Sequence, residues 1–162
     1  MDIIRRKTDY GLRALVAIAA AKRPMRADEL AEREQTPVAF LHKALTELTN
    51  ADILDGQRGP AGGFTLARPA TDITVFEAVE VMQGRLAVSR CVLGEEGCPR
   101  QEACGLRWAW EKVQQSITSF LRSLTIDDLA RALGPEAAAC RVNPVAAVTA
   151  AVGAARPTGE ES

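Results

Sequence analysis

The feature that most constrains the fold is a short helical segment, a tight link and a second helical segment, followed at once by a glycine-rich stretch. Residues 25–34 predict the first of these helices from their apolar spacing. Thr36-Pro37 then supplies a capping residue and a proline suited to a first helical position. Residues 37–50 predict the second helix, and the two segments together predict a helix-turn-helix.

Residues 37–50 have two distinct faces. The apolar face consists of Leu41, Leu45 and Leu48. The opposite face carries small and polar residues at spacings of three and four, which are Ala39, His42, Lys43 and Thr46. A helix with such a polar outer face, in a helix-turn-helix, is suited to lie against DNA.

The glycine-rich stretch predicts a β-hairpin. Residues 53–57 and 63–67 are short strand candidates on either side of the turn Arg58-Gly59-Pro60-Ala61-Gly62. A hairpin directly after the second helix of a helix-turn-helix is a wing, with Arg58 at its tip. The glycines are equally explained as a tight turn. A phosphate-cradling nucleotide loop is disfavoured, because the spacing does not match and no helix follows directly.

Two further helices flank this unit. Residues 8–21 have apolar residues at helical spacing, and we expect Thr8 as the N-cap with Asp9 in the first turn. Residues 74–82 form the other helix, which begins with a capping box from Thr74 to Glu77. Helical periodicity therefore accounts for most of the chain before residue 83.

A long helix is predicted over residues 106–124, followed by a short one that begins at Thr125 and ends at Gly134. The apolar residues of the long helix repeat at alternating spacings of four and three, which is the pattern of a coiled-coil seam: Leu106, Trp110, Val113, Ile117, Phe120 and Leu124. The stripe could pack within one protomer. A homodimer is favoured, because the preceding helices already use their apolar faces and a symmetric DNA site needs two DNA-binding domains.

Composition places the chain among ordinary globular proteins. Of its 162 residues, 47% are hydrophobic, and no apolar run approaches the ~20 residues needed to cross a bilayer. Arg13 interrupts the first apolar stretch and no clear cleavage site follows, so we expect no signal peptide and a cytoplasmic protein without a membrane partner. Residues 1–68 carry 11 Lys and Arg against 9 Asp and Glu, whereas residues 69–162 carry 9 against 12. The positive sign at the front fits nucleic acid weakly.

Four cysteines in a reducing compartment indicate metal or redox chemistry. Cys91, Cys98 and Cys104 follow one another at spacings of seven and six, in a loop rich in glycine. Thiolates suit iron–sulfur clusters, zinc and copper. Zinc is less suited, because a closed site needs four ligands and no Cys-x2-Cys knuckle is present. The thiols could also be unligated, or two could form a redox disulfide, and Cys140 is interpreted as a bystander.

We expect four regions along the chain. Residues 1–82 are a winged helix-turn-helix domain, 83–105 a cysteine-rich cluster-binding loop, and 106–134 a dimerisation helix with a short following helix. Residues 135–162 form a tail rich in Ala, Pro and Gly that we expect to be largely disordered. The fold class is mainly α with a small β-wing. No Ser/His/Asp set, phosphate loop or Cys-x3-Cys-x2-Cys signature indicates an enzyme.

Four stretches together resemble one family of regulators: TDYGLRAL, RGPAGGFTLAR, CVLGEEGCPRQEACGLRWAW and the seam that ends in LTIDDLA. They resemble the Rrf2-type winged-helix transcriptional regulators, the family of IscR, NsrR and RirA, over roughly residues 1–133. In that family three cysteines ligate an iron–sulfur cluster, which implies Cys91, Cys98 and Cys104 here. NsrR-like members carry a 4Fe–4S cluster, which we prefer over 2Fe–2S.

The resemblance also implies a fourth ligand. The IscR-like branch uses a histidine three residues after the last cysteine, and this chain has Arg107 at that position. The NsrR-like branch uses an aspartate near the start of the first helix, supplied by the other subunit. Asp9 matches that position. Its other interpretation is a first-turn carboxylate favoured by the helix dipole.

The resemblance assigns the DNA contacts as well. Two adjacent residues of the second helix and a wing arginine touch DNA in IscR-like proteins, which implies His42, Lys43 and Arg58 here. We expect Ala39, Gly59 and the helix N-terminus at Thr36 to accompany them. The family implies a homodimer that binds a DNA operator, and we expect a repressor that senses nitric oxide, iron or redox state. The alternative is a cluster-free regulator that works through a thiol switch or a protein partner.

Overall fold

The computed structural model describes residues 3–59, 62–89, 92 and 104–132. The helices and strands of these ranges are α1 (Arg6–Ala21), α2 (Ala27–Arg33), α3 (Val38–Asn50), β1 (Leu54–Gln57), β2 (Gly63–Leu66), α4 (Val75–Gln83), α5 (Gly105–Ser123) and α6 (Ile126–Ala132). A short 3₁₀ turn, Ala70–Asp72, precedes α4. The predicted fold class, mainly α with a two-stranded wing, is confirmed.

Helix α1 lies at the centre of the fold and contacts α3, α4 and α6. Its buried apolar residues include Ala14, Leu15 and Ile18. Gly11 allows α4 to approach closely, because a Cβ built there would lie 2.1 Å from Sδ of the buried Met82. Close packing around α1 therefore joins the helix-turn-helix to the C-terminal helices.

The start of α1 differs from its prediction. The helix begins at Arg6, and Arg5 occupies the N-cap position without a side-chain cap. Thr8 is fully buried inside the helix, and its hydroxyl has no hydrogen-bond partner. The prediction of Thr8 as N-cap was therefore wrong. Gln83 holds this end instead, because its amide accepts from Arg5 N at 3.0 Å and donates to Ile3 O at 2.9 Å.

The turn between α2 and α3 also differs in detail. Gln35 adopts a left-handed backbone conformation with φ of 50°, and Pro37 occupies the N-cap position of α3. Thr36 is buried, and its hydroxyl donates to Glu34 O at 3.1 Å. Thr36 therefore secures the turn from inside and does not cap α3 with its side chain.

The wing is an antiparallel hairpin in which Leu54 pairs with Leu66 and Gln57 with Gly63. Backbone hydrogen bonds tie it to the segment before α2, because Phe64 N donates to Met25 O at 2.8 Å and Met25 N donates to Phe64 O at 3.1 Å. A Cβ at Gly63 would lie 2.9 Å from the backbone of Met25. Glycine at this position permits the close approach that fixes the wing against the helix-turn-helix.

Helix α4 begins at the predicted cap, since Thr74 Oγ1 accepts from Glu77 N at 3.1 Å. The Glu77 carboxylate pairs with Arg68, so the second half of the predicted capping box is replaced by an ion pair. The link between α5 and α6 lies alongside this start. Val75 N donates to Leu124 O and Ile126 N donates to Ile73 O, both at 2.9 Å. The long helix is thereby anchored to the same core that holds α1.

None of the helices in the described part of the chain is long and apolar enough to cross a membrane. Cys91, Cys98 and Cys140 lie outside the described residues, as do Pro60 and Ala61 of the wing turn and the predicted tail.

We predict that Gly11→Ala destabilises the protein by about 1–3 kcal/mol, because the added methyl overpacks the space filled by Met82. This loss of stability is opposite to the usual effect of Gly→Ala within a helix, which is stabilising. Gly105→Ala is the matched control, because a Cβ there meets nothing within 4 Å. Denaturant unfolding of both variants measures the difference, and equal stability of the two would contradict the packing described for α1.

Candidate nucleic-acid interface and thiol site

The polar face of α3 is exposed, and its opposite face forms part of the core. The buried residues are Leu41, Ala44, Leu45 and Leu48. Of the residues that the sequence assigns to DNA contact, Ala39, His42 and Lys43 lie on the exposed face. Thr46 lies one turn beyond and donates its hydroxyl to His42 O at 2.8 Å. Helix α3 therefore offers a surface on which small and polar side chains alternate.

The wing tip carries the other two predicted contacts on exposed backbone. Arg58 and Gly59 are both exposed. Gly59 has φ of 121°, a conformation that favours glycine, and its carbonyl accepts from Gly62 N at 3.0 Å. This closed turn presents the Arg58 side chain beyond the end of β1.

Thr36 is placed differently from the other predicted DNA contacts. Its buried hydroxyl is occupied by the Glu34 carbonyl, so only the backbone at this end of α3 remains for a phosphate.

Glu47, beside the exposed face of α3, forms an ion pair with Lys7 of α1. Lys7 Nζ donates to Glu47 Oε1 at 2.7 Å, and both side chains are partly buried. Glu47 lies four residues after Lys43 on α3, so its charge would otherwise oppose an approaching phosphate backbone. The ion pair therefore offsets the negative charge of Glu47 beside the exposed Lys43.

Cys104 is the one predicted cluster ligand among the thiols that the structure describes. It is free and half-buried, and it occupies the N-cap position of α5. Thiolate sulfur is a soft donor that suits cluster iron, zinc and copper. Cys104 therefore suits an anionic ligand of a soft metal.

Gln114 on α5 forms hydrogen bonds with the backbone of the segment that leads from α4 toward the cysteines. Its Oε1 accepts from Val88 N at 3.0 Å, and its Nε2 donates to Leu86 O at 3.0 Å. Nε2 also donates to Thr118 Oγ1 at 3.0 Å. The segment before Cys91 is thus held against the helix that begins at Cys104.

Asp9 lies in the first turn of α1, where it pairs with Arg13 on the next turn. Arg13 Nη2 and Asp9 Oδ2 are 2.9 Å apart. The Asp9 side chain remains 43% exposed, so it can reach a group outside its own protomer. Arg13 Nε is buried and has no hydrogen-bond partner. Arg13 therefore holds Asp9 with one part of its guanidinium and keeps a further donor free.

The charges of Asp9 and Arg13 also influence the pKa of the Glu34 carboxyl, which lies directly after α2. Burial raises the pKa of Glu34 above its ordinary value, while the positive charges of Arg33 and Arg13 lower it and the Asp9 carboxylate raises it. Arg33 Nε lies 3.3 Å from Glu34 Oε1. Charges near the start of α1 therefore contribute to the pKa of the carboxyl at the turn before α3.

The described residues contain no group of three or more His, Cys, Asp or Glu side chains placed to hold a metal ion. Two of the three predicted thiol ligands, Cys91 and Cys98, lie outside those residues. The donors that are described, the Cys104 thiol and the Asp9 carboxylate, are both accessible and suit cluster iron.

The predicted seam of α5 is largely exposed. Its exposed members are Leu106, Trp110, Val113 and Phe120. Ile117 and Leu124 instead pack partly against the core, and Leu124 lies just beyond the helix end. Four large apolar side chains on one helix form a surface suited to a partner.

A family model described as an iron-dependent transcriptional regulator, Rrf2, matches residues 4–132. The chain belongs to the Rrf2 family. Its members are DNA-binding transcriptional regulators and not enzymes, and they are typically dimeric. The resemblance inferred from the four sequence stretches is therefore confirmed.

Several relatives share most of the chain. Protein aau3 of Rhizobium meliloti is 36% identical over 131 residues, which cover 80% of this chain and 85% of that protein. The HTH-type transcriptional repressor NsrR of Streptomyces coelicolor is 32% identical over 128 residues, covering 77% and 86%.

Solved structures show the same fold. CymR, the global cysteine regulator of B. subtilis, aligns with a TM-score of 0.67 at 24% identity, covering 80% of this chain and 97% of CymR. T. potens IscR aligns with a TM-score of 0.61 at 25% identity, covering 96% and 93%.

Three residues near the candidate site were not singled out in the sequence: Arg13, Glu34 and Gln114. An acidic residue four positions before an arginine on one helix is a signal for the Asp9–Arg13 pair. Gln114 contacts a distant segment, and Glu34 is influenced by the charges of Arg13 and Asp9 on another helix, so nothing in their local sequence indicates them.

We predict that Arg58→Ala weakens binding to DNA about fivefold or more, because it removes the positive charge at the wing tip. The slope of affinity against salt concentration should also become shallower. Lys112→Ala on α5 is the control, since it removes an exposed charge away from the reading face. Fluorescence anisotropy across a salt series measures both effects, and unchanged affinity with unchanged unfolding would exclude the wing from the interface.

Proposed function

We propose that the chain is a homodimeric repressor whose operator binding is controlled by an iron–sulfur cluster that responds to nitric oxide, iron or redox state. The observation that carries this proposal is the free Cys104 thiol at the N-terminus of α5. It is the last of three thiols, with Cys91 and Cys98, in the stretch that resembles the cluster-binding members of the family. The description of the Rrf2 family as iron-dependent supports the proposal.

In this proposal Cys91, Cys98 and Cys104 hold the cluster, and Asp9 from the other subunit completes it. A 4Fe–4S cluster is preferred, and 2Fe–2S is compatible with the same ligands. When bound, the cluster supplies an iron centre that reacts with oxidants and nitric oxide. A carboxylate is a harder ligand for that iron than a thiolate, so the Asp9 position would be the more easily lost one.

The dimer follows from the exposed side of α5. Leu106, Trp110, Val113 and Phe120 expose apolar surface on one helix that pairing with a second copy would cover. Ile117 and Leu124, which are partly covered within the protomer, would border that contact. Two copies related by a two-fold axis would present two reading heads to a dyad-symmetric operator.

The proposed DNA-binding surface consists of α3 and the wing together. Lys43 suits a phosphate or a guanine edge, and His42 and Ala39 lie on the same exposed face. Arg58, with Gly59, suits the minor groove, where a narrow A·T tract is more negative. The backbone N-terminus of α3 after Thr36 suits a phosphate.

The coupling between cluster and reading head would pass through Arg13. If Asp9 serves as a cluster ligand, its negative charge would be shared with iron, and its pairing with Arg13 at 2.9 Å would weaken. Arg13 would then turn its charge and its unpartnered Nε toward Glu34, which the same arginine already influences. Glu34 borders the turn that positions α3, because its carbonyl accepts from Thr36. A change of Asp9 ligation would therefore shift the population of DNA-competent arrangements.

A cluster-free regulator with a thiol switch is the second candidate. Its support is the free, half-buried thiol of Cys104 and the fold shared with CymR of B. subtilis, described as a global cysteine regulator, and with CymR of Staphylococcus aureus, solved in an oxidised form. The two candidates make opposite predictions about bound iron.

We predict that protein purified without oxygen carries about four irons and four sulfides per protomer and absorbs visible light. Cys104→Ser should lose most of this iron, because it removes a thiolate ligand. Cys140→Ser is the matched control and should retain it. A colourless wild-type protein without iron would contradict the cluster and favour the thiol switch.

The same preparation tests the fourth ligand through Asp9→Asn, which keeps the size of the side chain and removes its charge. Its cluster should lose iron to a chelator faster than the wild-type cluster. Asp52→Asn, an exposed position after α3, should behave as wild type. Equal rates for all three proteins would remove Asp9 from the ligand set.

A further inference from the structure

Helix α3 exposes a phenylalanine that neither the core nor the assigned polar contacts explain. Phe40 is 55% exposed, although α3 belongs to the core through its other face. A phenylalanine ring left in water on a core helix forgoes the stabilisation that burial would provide. Phe40 is therefore a candidate contact for a ligand.

The position of Phe40 indicates which ligand. Phe40 is the third residue of α3, and the N-terminal residues of the second helix of a helix-turn-helix contact base edges in the major groove. Lys43 lies one turn further on, at the spacing that places two side chains on adjoining surface. Glu47 one turn beyond is neutralised by Lys7, at 2.7 Å. The side of α3 that carries Phe40 is thus free of opposing charge.

We propose that Phe40 is a specificity-determining residue that recognises thymine through its 5-methyl group. Thymine is the base that presents an apolar group in the major groove, and a phenylalanine side chain is one of the groups that contact it. The proposal rests on the proposed insertion of α3 into that groove. Phe40 reads the methyl, while Lys43 binds a phosphate or a guanine edge alongside.

The size of the effect follows from the methyl group. Burying one carbon of this kind changes affinity about fourfold, and each half-site of the operator contributes separately. Removal of the methyl by substitution of uracil for thymine leaves every hydrogen-bonding atom of the base in place. The substitution therefore isolates the apolar contact from the polar ones.

The test begins with a sequence selected by the wild-type protein from short random duplexes. Thymines of the enriched duplex are then replaced by uracil one position at a time, and the affinities of wild type and Phe40→Ala are measured for each. The wild type should lose about fourfold at one thymine of each half-site. Phe40→Ala should bind thymine and uracil equally there. Trp108→Ala, which removes another exposed aromatic ring from α5, should retain the wild-type pattern.

Two outcomes would overturn the role of Phe40. One is a wild-type protein that is insensitive to uracil at every position of an enriched duplex, and the other is a Phe40→Ala protein with undiminished sensitivity. Enrichment of no sequence at all would instead overturn the proposed operator binding, and the role of Phe40 with it. Failure of the residue assignment and failure of the proposed function are therefore distinguishable.

Discussion

The close packing of α1 against α3, α4 and α6 is the constraint on which the rest of the structure depends. Gly11 makes this approach possible where Met82 crosses the helix. The same helix carries Asp9 and Arg13 at its N-terminal end and Lys7 beside Glu47 of α3. The N-terminal end of α1 and helix α3 therefore belong to one packed unit, joined also by the ion pair between Lys7 and Glu47.

Most of the fold could be predicted because its signals are local. Apolar periodicity placed α1, α3 and α5 within a few residues of their observed bounds, and Thr74 does cap α4. The errors at Thr8 and Thr36 have one physical cause. Both residues have side chains that favour caps, but both are buried by tertiary packing, which outweighs the local preference for a capping role.

The candidate site was predictable only where its residues recur as motifs. The resemblance indicates Asp9, Cys104 and Arg58, yet the Asp9–Arg13–Glu34 set joins residues from α1 and the end of α2. Gln114 likewise fastens a segment 26 residues away in the chain. Phe40 has an apolar side chain, and sequence reasoning assigns such residues to the core. Its exposure can be known only from the packing of α3.

In the proposed function, a coupling runs from cluster ligation by Asp9 through Arg13 and Glu34 to α3. It is tested most directly by the affinity for one selected duplex, measured without oxygen before and after the cluster is removed. Wild-type affinity should change at least about tenfold between the two states, which corresponds to a coupling of ~1.4 kcal/mol. Glu34→Gln should bind the same iron but show a much smaller change, while Glu32→Gln, exposed on α2, should match wild type. Equal affinities of loaded and stripped wild-type protein would contradict the account.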